Sequence, residues 1–137
     1  MANSIFIPLH AVPSGLNEII DLIAFGFSDV GRSVPNVYSA KSSDADENWK
    51  DNFVFVEDVG SGERCWVSFF ETTPDVTGNK EWTWLAGVTA RWSWDFAGVV
   101  AYALCSYADS IVYNDSGVLT GQEEYSAKDL KGILSRD

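Results

Sequence analysis

Residues 81–94 read EWTWLAGVTARWSW, and this stretch decides the fold class. Every second position carries Trp or a small apolar residue, and the positions between them are more polar. Successive side chains of a β-strand point to opposite faces, so this alternation predicts a strand with one apolar face over 81–94. The apolar positions are Trp82, Trp84, Ala86, Val88, Ala90, Trp92 and Trp94.

Three other stretches space their apolar residues as helices do. One follows Asp95 as N-cap and runs from about Phe96 to Ala108, one begins at Leu16, and a short one follows Ser126 as N-cap. The apolar positions are Leu16, Ile19, Ile20, Ile23 and Phe27 in the helix nearest the N-terminus, Phe96, Val99, Val100, Ala103, Leu104 and Tyr107 in the next, and Leu130, Ile133 and Leu134 in the last.

Further strands complete an α+β pattern. Residues 5–12 predict a strand that Pro8 places near a sheet edge, because proline cannot donate a ladder hydrogen bond. Other strands are expected at 53–57, 63–71 and 110–113, and residues 34–38 allow a further short strand. Without the short strand at 34–38, the predicted order is β-α-β-β-β-α-β plus a C-terminal helix. It predicts a two-layer α+β sandwich, ferredoxin-like with an extra strand, in a single domain over 1–137.

Composition excludes several classes of protein. Of 137 residues, 46% are apolar, which is enough for a core and excludes low-hydrophobicity disorder. Twenty acidic residues against nine basic ones give a net charge of −11, so binding of nucleic-acid phosphates is not expected. No window approaches the roughly 18 uninterrupted apolar residues of a membrane span.

The two cysteines and the N-terminus indicate the compartment. Cys65 and Cys105 lie in apolar stretches without a CxxC motif, and we expect two buried, reduced thiols. The first residues carry neither a basic region nor a long apolar one, so no signal peptide is expected. These features predict a cytoplasmic protein.

The sequence holds no pattern of a catalytic or metal site. His10 is the only histidine, so Ser-His or Cys-His catalysis would have to pass through it. The stretch from Asp44 resembles the start of a calcium loop, but Trp49 and Phe55 stand where that loop needs Gly and Glu. We therefore expect no catalytic residue, no metal and no cofactor.

Acidic residues cluster in the middle of the chain, where Lys50 is the one basic residue among them. Such a cluster is either a solvated face or an electrostatic docking surface for a basic protein. The docking interpretation assigns partner contacts to Asp44, Asp46, Glu47, Trp49, Asp51, Glu57, Asp58 and Glu63.

The six tryptophans allow more than one interpretation. Trp82, Trp84, Trp92 and Trp94 can pack under the helices as core. Trp49 and Trp66, or the ends of the Trp-rich strand, can instead protrude as anchors at a protein interface. A platform for stacking sugars is a third interpretation.

The C-terminal part resembles a known class of proteins. Residues 102–117 read YALCSYADSIVYNDSG, and YSAKDL follows at 125–130. This looks like the ending of several small bacterial α+β proteins, among them immunity proteins of toxin–immunity systems. The resemblance implies a small, acidic, non-catalytic cytoplasmic protein that binds a cognate toxin, and it carries over no individual residue.

These features together predict a non-catalytic, immunity-like inhibitor that occludes a cognate toxin or effector with a cationic surface. A small-molecule or carbohydrate binder using the Trp-rich strand is one alternative. A carboxylate- or metal-dependent enzyme is another. Unpaired sheet edges and surplus Trp residues also leave a homodimer open.

Overall fold

A computed structural model describes residues 3–11, 13, 15–39, 54–58, 60–73, 75, 80–90, 94–113 and 124–134. The described residues form seven strands and three helices. In chain order these are β1 (Asn3–Leu9), α1 (Leu16–Asp29), β2 (Asn36–Ser39), β3 (Val54–Asp58), β4 (Glu63–Glu71), β5 (Trp84–Ala90), α2 (Trp94–Ala108), β6 (Ile111–Tyr113), β7 (Glu124–Ser126) and α3 (Ala127–Leu134).

The seven strands form one sheet in the order β2-β3-β4-β5-β1-β6-β7, and every neighbouring pair is antiparallel. The α+β class is therefore confirmed. The sheet is larger than the predicted layout. Four strands rather than three lie between α1 and α2, and β7 was not predicted.

The prediction that β1 lies near a sheet edge is wrong, because β1 pairs with both β5 and β6. Antiparallel pairing continued from Phe6 and Tyr113 would bring Ile111 opposite Pro8, but the ladder with β6 stops before that pair. The register with β6 is a single pair, Phe6 with Tyr113, and Pro8 lies outside it. On that side Pro8 has no ladder hydrogen bond to lose, much as at an edge.

The predicted strand at 81–94 is shorter in the structure. It spans Trp84–Ala90, and α2 already begins at Trp94. Asp95 therefore lies inside α2, and the prediction that it is the N-cap is wrong. The limits of β5 coincide with those of its partner β1, since Leu9 pairs with Trp84 and Asn3 with Ala90. The alternating pattern over 81–94 therefore overestimated the strand at its beginning, where residues 81–83 precede β5, and at Trp94, which belongs to α2.

The core lies between one face of the sheet and the helices. Ile5, Ile7 and Leu9 of β1 are fully buried there, and α1 crosses α2 where Gly26 meets Ala103. Both cysteines are also buried in this core as separate thiols. Other fully buried core side chains are Ile19, Ile23, Val54, Val56, Val67, Ala86, Val88, Ala90, Val99, Val100, Leu104, Val112, Leu130 and Leu134.

The start of α3 is a capping box. The Asp129 amide donates to Ser126 Oγ at 3.1 Å, and the Ser126 amide donates to Asp129 Oδ2 at 3.2 Å. Each side chain satisfies a backbone donor that the first helical turn leaves without a partner. The prediction that Ser126 caps this helix is confirmed.

Candidate functional site

Six aromatic side chains lie on the sheet face opposite the helices, which we call the open face. The pairing of the strands places them on this face. Tyr38 pairs with Phe55, and Phe55 pairs with Trp66. The residues that alternate with Phe55 and Trp66 along β3 and β4 belong to the core. None of these six side chains belongs to the buried core. They are Phe6, Tyr38, Phe55, Trp66, Phe70 and Tyr113.

Two aromatic pairs organise this face. The rings of Tyr38 and Phe55 stack with centroids 5.4 Å apart and an interplanar angle of 23°. The rings of Phe6 and Phe70 meet edge to face, with centroids 6.1 Å apart at 80°. Tyr38 is 42% exposed and Phe70 is 39% exposed, so each pair offers aromatic surface to a ligand.

Small residues lie beside the Phe6–Phe70 pair. Gly87 pairs with Phe6 on one side and with Ser68 on the other. A side chain at Gly87 would begin 3.3 Å from the Phe6 ring and 3.4 Å from Ser68 Oγ. The glycine therefore lets the Phe6 ring lie against the strand, as close approach in a sheet often requires.

The open face carries few charges among the strand residues that the structure describes. Glu57 stands opposite Arg64 in the ladder, and Glu124 stands opposite Tyr113. Burial, and then the nearby Glu124 carboxylate, raise the pKa of Tyr113 above its ordinary value. The face is thus mainly aromatic, with a carboxylate near each edge of the sheet.

The structure brings Glu57, Asp58 and Glu63 together at the turn between β3 and β4. Asp58 has a structural task there, because its Oδ1 accepts from the Gly60 amide at 3.1 Å and its main-chain oxygen from the Gly62 amide at 2.8 Å. Gly62 adopts a left-handed φ of 76°, which favours glycine. Asp58 therefore fixes the turn from which the other two carboxylates project.

Asp58 and Glu63 pair in the ladder and line a cleft of about 170 Å³ on the helix side of the sheet. Arg32 lines the same cleft, so a guanidinium accompanies the two carboxylates. The predicted acidic residues are therefore divided between two faces of the hairpin, with Glu57 on the open face. The other lining residues are Phe27, Gly31, Ser33 and Phe96.

The remaining predicted contacts, Asp44, Asp46, Glu47, Trp49 and Asp51, lie outside the described residues. The ends of their segment are nevertheless placed. Ser39 and Val54 pair in the ladder, so residues 40–53 leave and rejoin the sheet at the same end of β2 and β3. The next pair along the ladder is Tyr38 with Phe55, so the acidic segment is attached beside the stacked rings.

The tryptophans fall in different environments. Trp84 packs against the core, and Trp66 lies half-buried on the open face. Trp82 precedes β5 and is half-buried. Trp49 and Trp92 lie outside the described residues, as does the Trp94 side chain. The described part of the Trp-rich strand thus contributes a core residue rather than a platform.

Sequence reasoning missed five of the six open-face aromatics, Phe6, Tyr38, Phe55, Phe70 and Tyr113. A signal for Phe70 and Trp66 was present in β4, where Cys65, Val67 and Phe69 alternate with them. The sequence did not show that the described helices would leave the second face uncovered, because that depends on where the helices pack.

The described residues offer little for catalysis. Among them, no three His, Cys, Asp or Glu side chains are close enough to hold a metal ion. Burial raises the pKa of both thiols, that of Cys105 to about 11, so neither is an activated nucleophile. His10 is exposed after β1, where its carbonyl accepts from Thr83 Oγ1 at 3.5 Å.

Two further observations concern the chain as a whole. None of the described helices is both long and apolar enough to cross a membrane. Comparison with protein-family models, with curated proteins and with solved structures found no match to this chain.

Proposed function

We propose that this chain is a non-catalytic binding protein, an immunity-like inhibitor that occludes a toxin or effector protein with a cationic surface. One observation carries the proposal. A sheet face bearing six aromatic side chains is left uncovered by the described helices, and a strongly acidic segment is attached beside its stacked pair.

The chemistry of this face supports a protein as the partner. Aromatic residues dominate the energetics of protein interfaces, and the most effective of them sit near the centre of the contact. Acidic side chains at the rim would attract a basic partner and raise the association rate. With a net charge of −11, the chain has the charge for such steering.

The same charge argues against nucleic acid. Some RNA-binding domains also use aromatic side chains on an open sheet to stack bases. Those proteins need cations to neutralise phosphates, and on the described strands of the open face Arg64 is the single basic residue. A polyanion would meet repulsion from the chain as a whole.

The strand order supports a finer statement about the fold, which we also propose. The strands β6-β1-β5-β4 occur in the order of a ferredoxin-like β-α-β-β-α-β sheet, with α1 and α2 as its two helices. On this interpretation, β2 and β3 extend one edge of that sheet and β7 extends the other.

The proposal is tested by charge reversal in the acidic segment. The variant Asp46→Lys, Glu47→Lys, Asp51→Lys and the wild-type chain are each used to capture proteins from the source cells. The partner of the wild-type chain is then purified, and its association rate is measured over a range of salt concentrations. We expect the variant to associate at least about tenfold more slowly, with a weaker salt dependence.

A matched control separates position from total charge. The variant Asp21→Lys, Glu71→Lys, Asp75→Lys changes the net charge equally at exposed positions outside the segment. Its association rate should fall less than that of the segment variant. Equal rates for the two variants would contradict a role for the acidic segment, and a partner whose own activity is unaffected by the complex would contradict inhibition.

A further inference from the structure

We draw no further inference here: the strongest candidate, the cleft that Arg32, Asp58 and Glu63 line beside the β3–β4 turn, is a cluster of opposite charges in which Asp58 Oδ1 already accepts from the Gly60 amide and Arg32 Nη2 already donates to the Leu134 carbonyl, and no second observation on the described residues points to a ligand.

Discussion

The glycines show how much the context of a single residue matters. Gly26 lies where α1 crosses α2, and a Cβ built on it would stand 2.5 Å from Ala103 Cβ and 3.0 Å from Ala103 Cα. Gly132 lies in α3, and a Cβ there would meet nothing within 4 Å. The sequence places both glycines in helices but does not indicate which one allows two helices to approach.

The variants Gly26→Ala and Gly132→Ala should therefore change stability in opposite directions. The Cβ of alanine at position 26 would clash with Ala103 and push α1 away from α2. This substitution should lower the free energy of unfolding by about 1–3 kcal/mol, although alanine has the better helix propensity. Alanine at 132 should leave stability unchanged or raise it by up to about 1 kcal/mol. Urea unfolding measures both, and a stabilising Gly26→Ala would contradict the close helix contact.

Asp29 links the three helices. Its carboxylate accepts from the Tyr102 hydroxyl and pairs with Lys131 Nζ at 3.4 Å. The hydrogen bond from Tyr102, and then Lys131, hold the pKa of Asp29 below its ordinary value against the opposing effect of burial. In return, burial and the Asp29 contact raise the pKa of Tyr102 to about 12.

A lowered pKa makes part of the stability dependent on pH. The contribution of Asp29 is present above the pKa of an unfolded aspartate, about 4, and is lost as the pH falls through the lower folded value. Between about pH 6 and about pH 3, the free energy of unfolding of the wild-type chain should therefore fall further than that of Asp29→Asn. Urea unfolding at both pH values measures this difference. Asp21→Asn, at an exposed position of α1, serves as the control and should follow the wild type.

At the scale of elements, the local signals of the sequence were the most reliable. The strand at Glu63–Glu71 has the predicted limits, and the helix after Ser126 begins where its cap indicates. These features depend on residues close in sequence. The position of β1 inside the sheet depends on partners far along the chain, and it was predicted wrongly for that reason.

The helix α3 is held by its cap, by its buried side chains and by a hydrogen bond from Arg32 in the segment that follows α1. Ser126 caps it, Leu130 and Leu134 are buried, and Arg32 Nη2 donates to the Leu134 carbonyl at 3.1 Å. Ser126→Ala removes an acceptor for the first turn and should lower the free energy of unfolding by about 1 kcal/mol. Ser126→Asp keeps an acceptor and should retain most of the stability. Equal stabilities of the two variants in urea unfolding would contradict the capping role.

Neighbouring residues of β4 test which face of the sheet is covered. Phe69 is 7% exposed and packs in the core, whereas Phe70 lies on the open face. Phe69→Ala should lower the free energy of unfolding by about 3–5 kcal/mol, because it removes a buried ring. Phe70→Ala should lower it by only about 1 kcal/mol, the order of its contact with Phe6. Similar losses in denaturant unfolding would mean that the second face is also covered.

At the scale of the whole molecule, the sequence predicted the negative net charge but not which side chains would lie together on the surface. The sequence showed the excess of acid and the cluster of Asp44, Asp46, Glu47 and Asp51. It did not show that Ser39 and Val54, which stand on either side of this cluster in the sequence, pair next to the stacked Tyr38 and Phe55, because that pairing is a property of the folded sheet. Nor did alternation reveal which face the helices would leave uncovered.

The open face as the contact surface is tested most directly by hydroxyl-radical footprinting of the chain, free and bound to its captured partner. Mass spectrometry measures the oxidation of each side chain. We predict protection of Tyr38, Phe55, Trp66 and Phe70 in the complex. Phe25 and Tyr107, which are exposed on the helices, should stay as reactive as in the free chain. Protection of Phe25 and Tyr107 with an unprotected open face would contradict the assignment of this surface.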